Sequence, residues 1–165
     1  MLYLSRPQLT PSPETQRALH ATDGYLVLAM PREALAELDA IAPQERELAP
    51  VQLARIRVLL HLRRWKAAEK LSRHGAARHP DEQEFTVQCA FSLHQMQQAA
   101  KAVAVLQSAP EWVRRTGILH YNLACYEARL GDLAAARECI DAAIELNAAM
   151  KKNARVDPDL AALWN

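Results

Sequence analysis

Glycine is scarce in this 165-residue sequence, with four in all, and aromatic side chains make up only 5%. Runs of β-branched residues are missing as well. Strands and tight hairpins draw on these residue types, so their shortage argues against a β-rich fold. No stretch approaches the length of apolar run that spans a bilayer. Neither sign of charge dominates: Lys and Arg number 20, Asp and Glu 19, and the net charge is +1. A balance this even creates no overall field toward nucleic acid or an anionic membrane. The three cysteines, Cys89, Cys125 and Cys139, show no CxxC spacing, and an odd count leaves one unpaired. That usage points to buried thiols in a reducing compartment. The opening MLYLSRPQL is too short and too polar for a secretory apolar region, so a cytoplasmic location is expected.

Catalytic signatures are absent too. There is no P-loop, GxSxG, HExxH or GxGxxG. His74 and His79 are five residues apart and leave a shared helical face, whereas a metal pair needs three or four. His20 and Asp23 are three apart and read as a surface contact. No cysteine has the partner histidine and asparagine that a thiol nucleophile needs. No enzyme, cofactor or metal is expected.

What is present is half apolar and rich in Ala, Leu, Glu, Arg and Gln, all good helix formers. The fold class is therefore all-α. Residues 118–147, ILHYNLACYEARLGDLAAARECIDAAIELN, set the pattern. Leu119, Leu123, Tyr126 and Leu130 recur at helical spacing. Gly131 ends that helix by taking positive φ, and Asp132 caps the next. Leu133, Ala136, Ile140, Ala143 and Ile144 then form the inward stripe of a second helix, antiparallel to the first across a two-residue turn. Small Ala136 and Ala143 let two backbones approach closely.

The unit recurs. Ala34 and Ala68 lie 34 residues apart, and Ala136 lies twice that beyond Ala68. A third copy, LHQMQQAAKAVAVL, aligns on Ala99, which makes the steps 31 and 37 there. Four helix pairs follow, at about 13–29 and 31–41, 47–63 and 65–78, 82–94 and 96–107, and 112–130 and 132–148. Residues 1–13, with three prolines, are an extended lead-in. Residues 149–165 form a linker and a short capping helix begun by Asp157 and Pro158. Its Leu160, Leu163 and Trp164 pack on helix 132–148 or dock into another chain.

A helix-pair repeat of 34 residues resembles the tetratricopeptide family. In the fourth unit Leu123, Ala124, Gly131, Ala136, Ile140 and Ala143 match the family's apolar, small and glycine positions. Leu59, Trp65, Ala68 and Pro80 match in the second, and Tyr25 and Ala34 in the first. Glu127 stands where an aromatic is usual, Gly75 where alanine is usual, and Ala148 where a proline closes the unit. The resemblance implies an α-α superhelix of about four repeats over 14–148. It also implies a concave groove lined by the first helix of each pair.

Carried over residue by residue, the implied groove takes Leu19, Asp23 and Leu26 from unit one and Leu53, Arg57, Leu60 and His61 from unit two. Unit three contributes Glu84, Gln88 and Phe91, and unit four Tyr121, Cys125 and Arg129. The expected function is a protein-interaction scaffold or adaptor that holds a peptide or protein segment. The alternative is a small dedicated chaperone of the type III secretion translocator class. The family's carboxylate clamp is not matched, because Leu19, Asp23, Glu84 and Gln88 occupy its places. Self-association through Leu2, Tyr3 and Leu4 is a further reading. The basic run from Arg55 to Arg78 reads as a solvated face, or as an anion-facing patch for an acidic peptide or a nucleic-acid backbone; with few aromatics to stack on bases, nucleic acid is not the expected partner.

Overall fold

Ser12 and Pro13 start the first helix by local chemistry. The Thr15 N–H donates to Ser12 Oγ at 3.3 Å, and Pro13 enters with its φ already helical. The computed structural model describes residues 10–164 and, among these, helices and turns with no strand. The arm at Leu2, Tyr3 and Leu4 lies outside the described residues.

The helices are α1 (Pro13–Val27), α2 (Pro31–Ala40), α3 (Ala49–His61), α4 (Trp65–Arg78), α5 (Gln83–Gln95) and α6 (Ala99–Gln107), then α7 (Glu111–Arg114), α8 (Gly117–Leu130), α9 (Leu133–Leu146) and α10 (Met150–Ala154). Short 3-10 turns occupy Pro43–Glu45 and Pro158–Leu163.

The chain divides into two compact units, the first ending at Arg64 and the second starting at Trp65. In the first, α1, α2 and α3 enclose a core of Ala34, Leu38, Ile41, Val51, Ala54 and Val58. In the second, α5, α6, α8 and α9 bury a larger core, in which Leu106, Leu119, Tyr126, Ile140 and Leu160 are at most 1% exposed.

The 34-residue period is stricter than the sequence reading made it. Ala34, Ala68, Ala102 and Ala136 are all 0% exposed, and each follows the last by 34 residues. Ala99, taken above as the third anchor, is the first residue of α6 and only half-buried. The steps of 31 and 37 therefore vanish. The turn residues keep the same interval: Ala29, Arg63, Gln97 and Gly131 all have positive φ, from 54° to 88°. Three of these four left-handed positions carry a Cβ, which an L-residue tolerates only at a cost.

Other boundaries move for physical reasons. The run expected at 112–130 is broken. Thr116 is extended, and its hydroxyl donates to Val113 O at 2.8 Å, so α7 stops and α8 starts afresh. Leu130 and Leu133, placed on inward stripes above, are 49% and 40% exposed. The tail is a 3-10 segment rather than an α-helix, and α10 precedes it. Gly75 has a steric reason to depart from alanine: a Cβ there would lie 2.3 Å from Cδ1 and Cε1 of Phe85, whose ring is fully buried.

Candidate functional site

Tyr121, Cys125 and Arg129 are spaced four apart on α8 and so share one face. The chain's own tail lies on that face. Asp157 caps the tail's 3-10 turn, taking the Asp159 N–H on Oδ1 at 2.9 Å. Its other oxygen accepts the Tyr121 hydroxyl at 2.8 Å and the Cys125 thiol at 3.8 Å. Asp159 Oδ2 lies 2.9 Å from His94 Nε2, and Oδ1 lies 3.8 Å from Arg129 Nε. His94 belongs to α5 and stacks on Tyr126 at 4.7 Å between ring centroids.

Apolar and terminal contacts complete the seat. Leu160 and Leu163 are buried. The Trp164 indole N–H donates to Ala154 O at 2.9 Å, and the Arg137 guanidinium lies 4.8 Å over its ring and donates to Leu163 O. The packing on α9 expected of Trp164 thus runs through Arg137, while the segment before it seats on α8.

The electrostatics keep the donors in their donating form. Burial first, then the hydrogen bond to Asp157, pushes the Tyr121 phenol up from its ordinary value. Burial, followed by the charges of Asp157 and Asp159, raises the Cys125 thiol. A thiol held protonated in this way is the opposite of an activated nucleophile. Cys89 and Cys139 are likewise raised, chiefly by burial.

Cys125 Sγ and carboxylate oxygens of Asp157 and Asp159 lie within 4.8 Å of one another. Thiolate and carboxylate donors suit a borderline divalent cation such as zinc. A cation seated there would have to displace the protons that Tyr121 and Cys125 now donate. Beside this cluster is an open cleft of about 330 Å³, whose lining includes His94, Gln97, Gln98, Lys101 and Arg129. The Arg129 guanidinium also donates to Gln97 Oε1 at 3.2 Å.

Most of the other sequence-predicted groove residues have partners of their own. Asp23 and Arg57 form an ion pair at 2.9 Å between α1 and α3, with each side chain about half exposed. Leu19 and Leu26 pack partly buried against the first unit's core. Leu53 and Leu60 are half-buried, and His61 is exposed. On α5, Gln88 Nε2 donates to Glu84 Oε1 at 2.5 Å, and Phe91 meets Trp65 edge-on at 6.4 Å. The basic run is partly neutralised, with Arg55 on Asp39 at 2.7 Å and Arg73 on Glu69 at 2.6 Å in addition to the Asp23–Arg57 pair.

Asp157 therefore does more than cap its turn, and Asp159 and His94 join the site although neither stands among the expected groove residues. The repeated carboxylate in Asp157-Pro158-Asp159 was the available signal. Among the described residues, no helix is long and apolar enough to cross a membrane.

No family model matches the sequence, and no curated protein matches it. Among solved structures, the chain is similar to the MamA RS-1 ArsTM double mutant, a tetratricopeptide-repeat protein. Identity is 16%, the match covers 88% of this chain and 80% of the other, and the TM-score is 0.67. That likeness shows the fold: an all-α arrangement of tetratricopeptide type.

Proposed function

We propose that the chain is a tetratricopeptide-type interaction scaffold that holds a protein segment on the exposed faces of its first helices, in the cytoplasm and without catalysis. One observation carries this reading. The α8 face already holds a peptide segment, the chain's own residues 157–163, through side-chain hydrogen bonds and two buried leucines. A surface that seats seven residues of one chain has the chemistry to seat a segment of another. In the second unit the corresponding face of α5 offers Glu84 and Gln88. In the first, Asp23, Leu53, Leu60 and His61 play that part on α1 and α3.

The test is affinity capture from the native host with the unaltered chain and with a Glu84→Ala, Gln88→Ala variant. Both side chains are half-buried and bonded mainly to each other, so the helix survives their loss. Partners that bind the unaltered chain are expected to be lost or weakened about tenfold in the variant, a loss of about 1.4 kcal/mol. Full retention of every partner overturns the α5 assignment. Phe91 and Tyr121 make poorer probes, because Phe91 supports Trp65 and Tyr121 supports Asp157. A chaperone of the translocator class would show one dominant client encoded beside the chain, whereas a scaffold would show several partners.

A further inference from the structure

The tail is held in the way a ligand is held. Each acidic side chain of the Asp157-Pro158-Asp159 sequence has its own receptor: Tyr121 and Cys125 for the first, His94 and Arg129 for the second. Leu160 and Leu163 then enter the apolar core behind them. The segment is short, its internal bonds are local, and the joining residues Arg155 and Val156 are exposed. It can therefore leave as one piece without unwinding a long helix.

We propose that residues 157–163 are a resident ligand of the α8 face. The partner recognised there is a protein segment of the same chemistry: two carboxylates two residues apart, followed directly by leucine, which displaces the tail. The proposal rests on the scaffold reading above and names its partner class.

Charge complementarity supports that occupant. The receptor offers protonated donors and a guanidinium, and no acidic side chain of α8 or α5 contributes to the seat. An anionic segment therefore gains charge-assisted hydrogen bonds that a neutral one does not. The open cleft beside Asp159 shares His94 and Arg129 with the seat and adds Lys101. It gives an incoming carboxylate room to engage Arg129 and Lys101 before Asp159 departs. The tail competes from within the chain, at an effective concentration of the order of millimolar. Displacement is therefore weak unless the partner makes further contacts, and weakening the tail should strengthen binding of anything else at the seat.

The experiment uses the full chain, unaltered and as the Asp157→Asn, Asp159→Asn variant. Asparagine still caps a helix turn, so charge is removed with little change of shape. The probe is a labelled synthetic peptide copying residues 154–165 with Phe in place of Trp, so that Trp164 of the protein reports release of the tail. The variant is expected to bind this peptide at least about tenfold more tightly than the unaltered chain does, following the larger competent fraction. A peptide with both aspartates changed to asparagine should not bind, and affinity should fall with added salt.

Equal or absent peptide binding to a variant with unchanged helical circular dichroism overturns the proposal and leaves the tail as a fixed cap. A concentration-dependent dimer of the unaltered chain that the variant lacks also overturns it, because the occupant is then a second copy. If the double variant does not fold, Asp159→Asn alone, which keeps Asp157 as cap, gives the same comparison. Failure here, together with partner loss in the α5 variant, refutes only the displacement; peptide binding with full partner retention in that variant refutes only the α5 face.

Discussion

The two units use the same hairpin grammar and treat their polar groups differently. In the first, acids and bases meet at the surface, Asp23 on Arg57 and Asp39 on Arg55, with most of these side chains about half exposed. Pairs of that kind contribute roughly 0–1 kcal/mol each. In the second, Asp157 and Asp159 meet Tyr121, Cys125 and His94 in a partly buried cluster, where desolvation makes each bond matter more. The second unit also buries Phe85 and Tyr126 almost completely, while Tyr25 of the first is only half-buried. The lesson is that a repeat array ends where something covers its last apolar face. Here the cover reaches back over the first helix of the final pair and brings carboxylates with it.

Truncating the tail's anchor should have the largest effect. Leu160→Ala removes a 0%-exposed side chain and is expected to cost about 2–5 kcal/mol, read as a loss of tryptophan-detected stability in urea. All three tryptophans, Trp65, Trp112 and Trp164, belong to the second unit, so their fluorescence follows that unit alone. Leu38→Ala, equally buried in the first unit, should cost about as much by circular dichroism and leave the tryptophan transition in place. A tryptophan transition that moves equally with both substitutions would show that the units unfold as one.

Overpacking the repeat interface comes next. Ala102→Leu should cost about 1–3 kcal/mol, whereas Ala99→Leu at a half-buried first turn should stay within about 0.5 kcal/mol. The reverse order would restore the irregular register. This pair also marks where the sequence was legible and where it was not. Ala34, Ala68 and Ala136 were readable because each stands on a clear helical stripe. AAKAVAVL offers alanine at 99, 100, 102 and 104, and nothing local says which one faces a neighbour. The left-handed turns at Ala29, Arg63 and Gln97 were invisible for a similar reason, since only Gly131 carries a residue that advertises positive φ. Asp159 and His94 are 65 residues apart, and no periodic pattern links them. The helices and their pairing were local information; the site was not.

Exchanging turn residues gives a smaller effect with opposite signs in the two units. Gly131→Ala places a Cβ at φ 88° and is expected to destabilise the second unit by about 1 kcal/mol. Ala29→Gly removes a Cβ at φ 55° and should stabilise the first by up to about 1 kcal/mol, reduced by the added freedom of the unfolded chain. Midpoints of urea unfolding, taken by fluorescence for one and circular dichroism for the other, decide it. Shifts of equal sign would mean that the turns do not carry the strain assigned to them.

The smallest difference near neutral pH becomes visible at the extremes, and it separates the units by sign. In the second unit Cys89, Cys125, Cys139, Tyr121 and Tyr126 are all raised, burial being the largest cause in each. Unfolded, these groups release protons at ordinary values, the thiols near about 8.5. Folded, they hold them longer, so stability falls as pH rises from about 8.5 upward. In the first unit Glu45 is held below its usual range by the hydroxyls of Thr15 and Ser12. Its contribution is complete above the ordinary carboxylate value and is lost as pH falls through the lowered one. Glu127 of the second unit is raised, first by burial and then by Asp132. Between the ordinary and raised values the folded state binds the extra proton, so the second unit gains slightly as acid is added. Denaturation followed by both probes should therefore show the tryptophan signal failing first in alkali and circular dichroism outrunning it in acid. Ser12→Ala, which removes a hydrogen bond to Glu45 at 3.0 Å, should reduce the acid dependence without touching the alkaline limb. An alkaline limb that also shifted would tie Glu45 to the second unit's stability and break the separation.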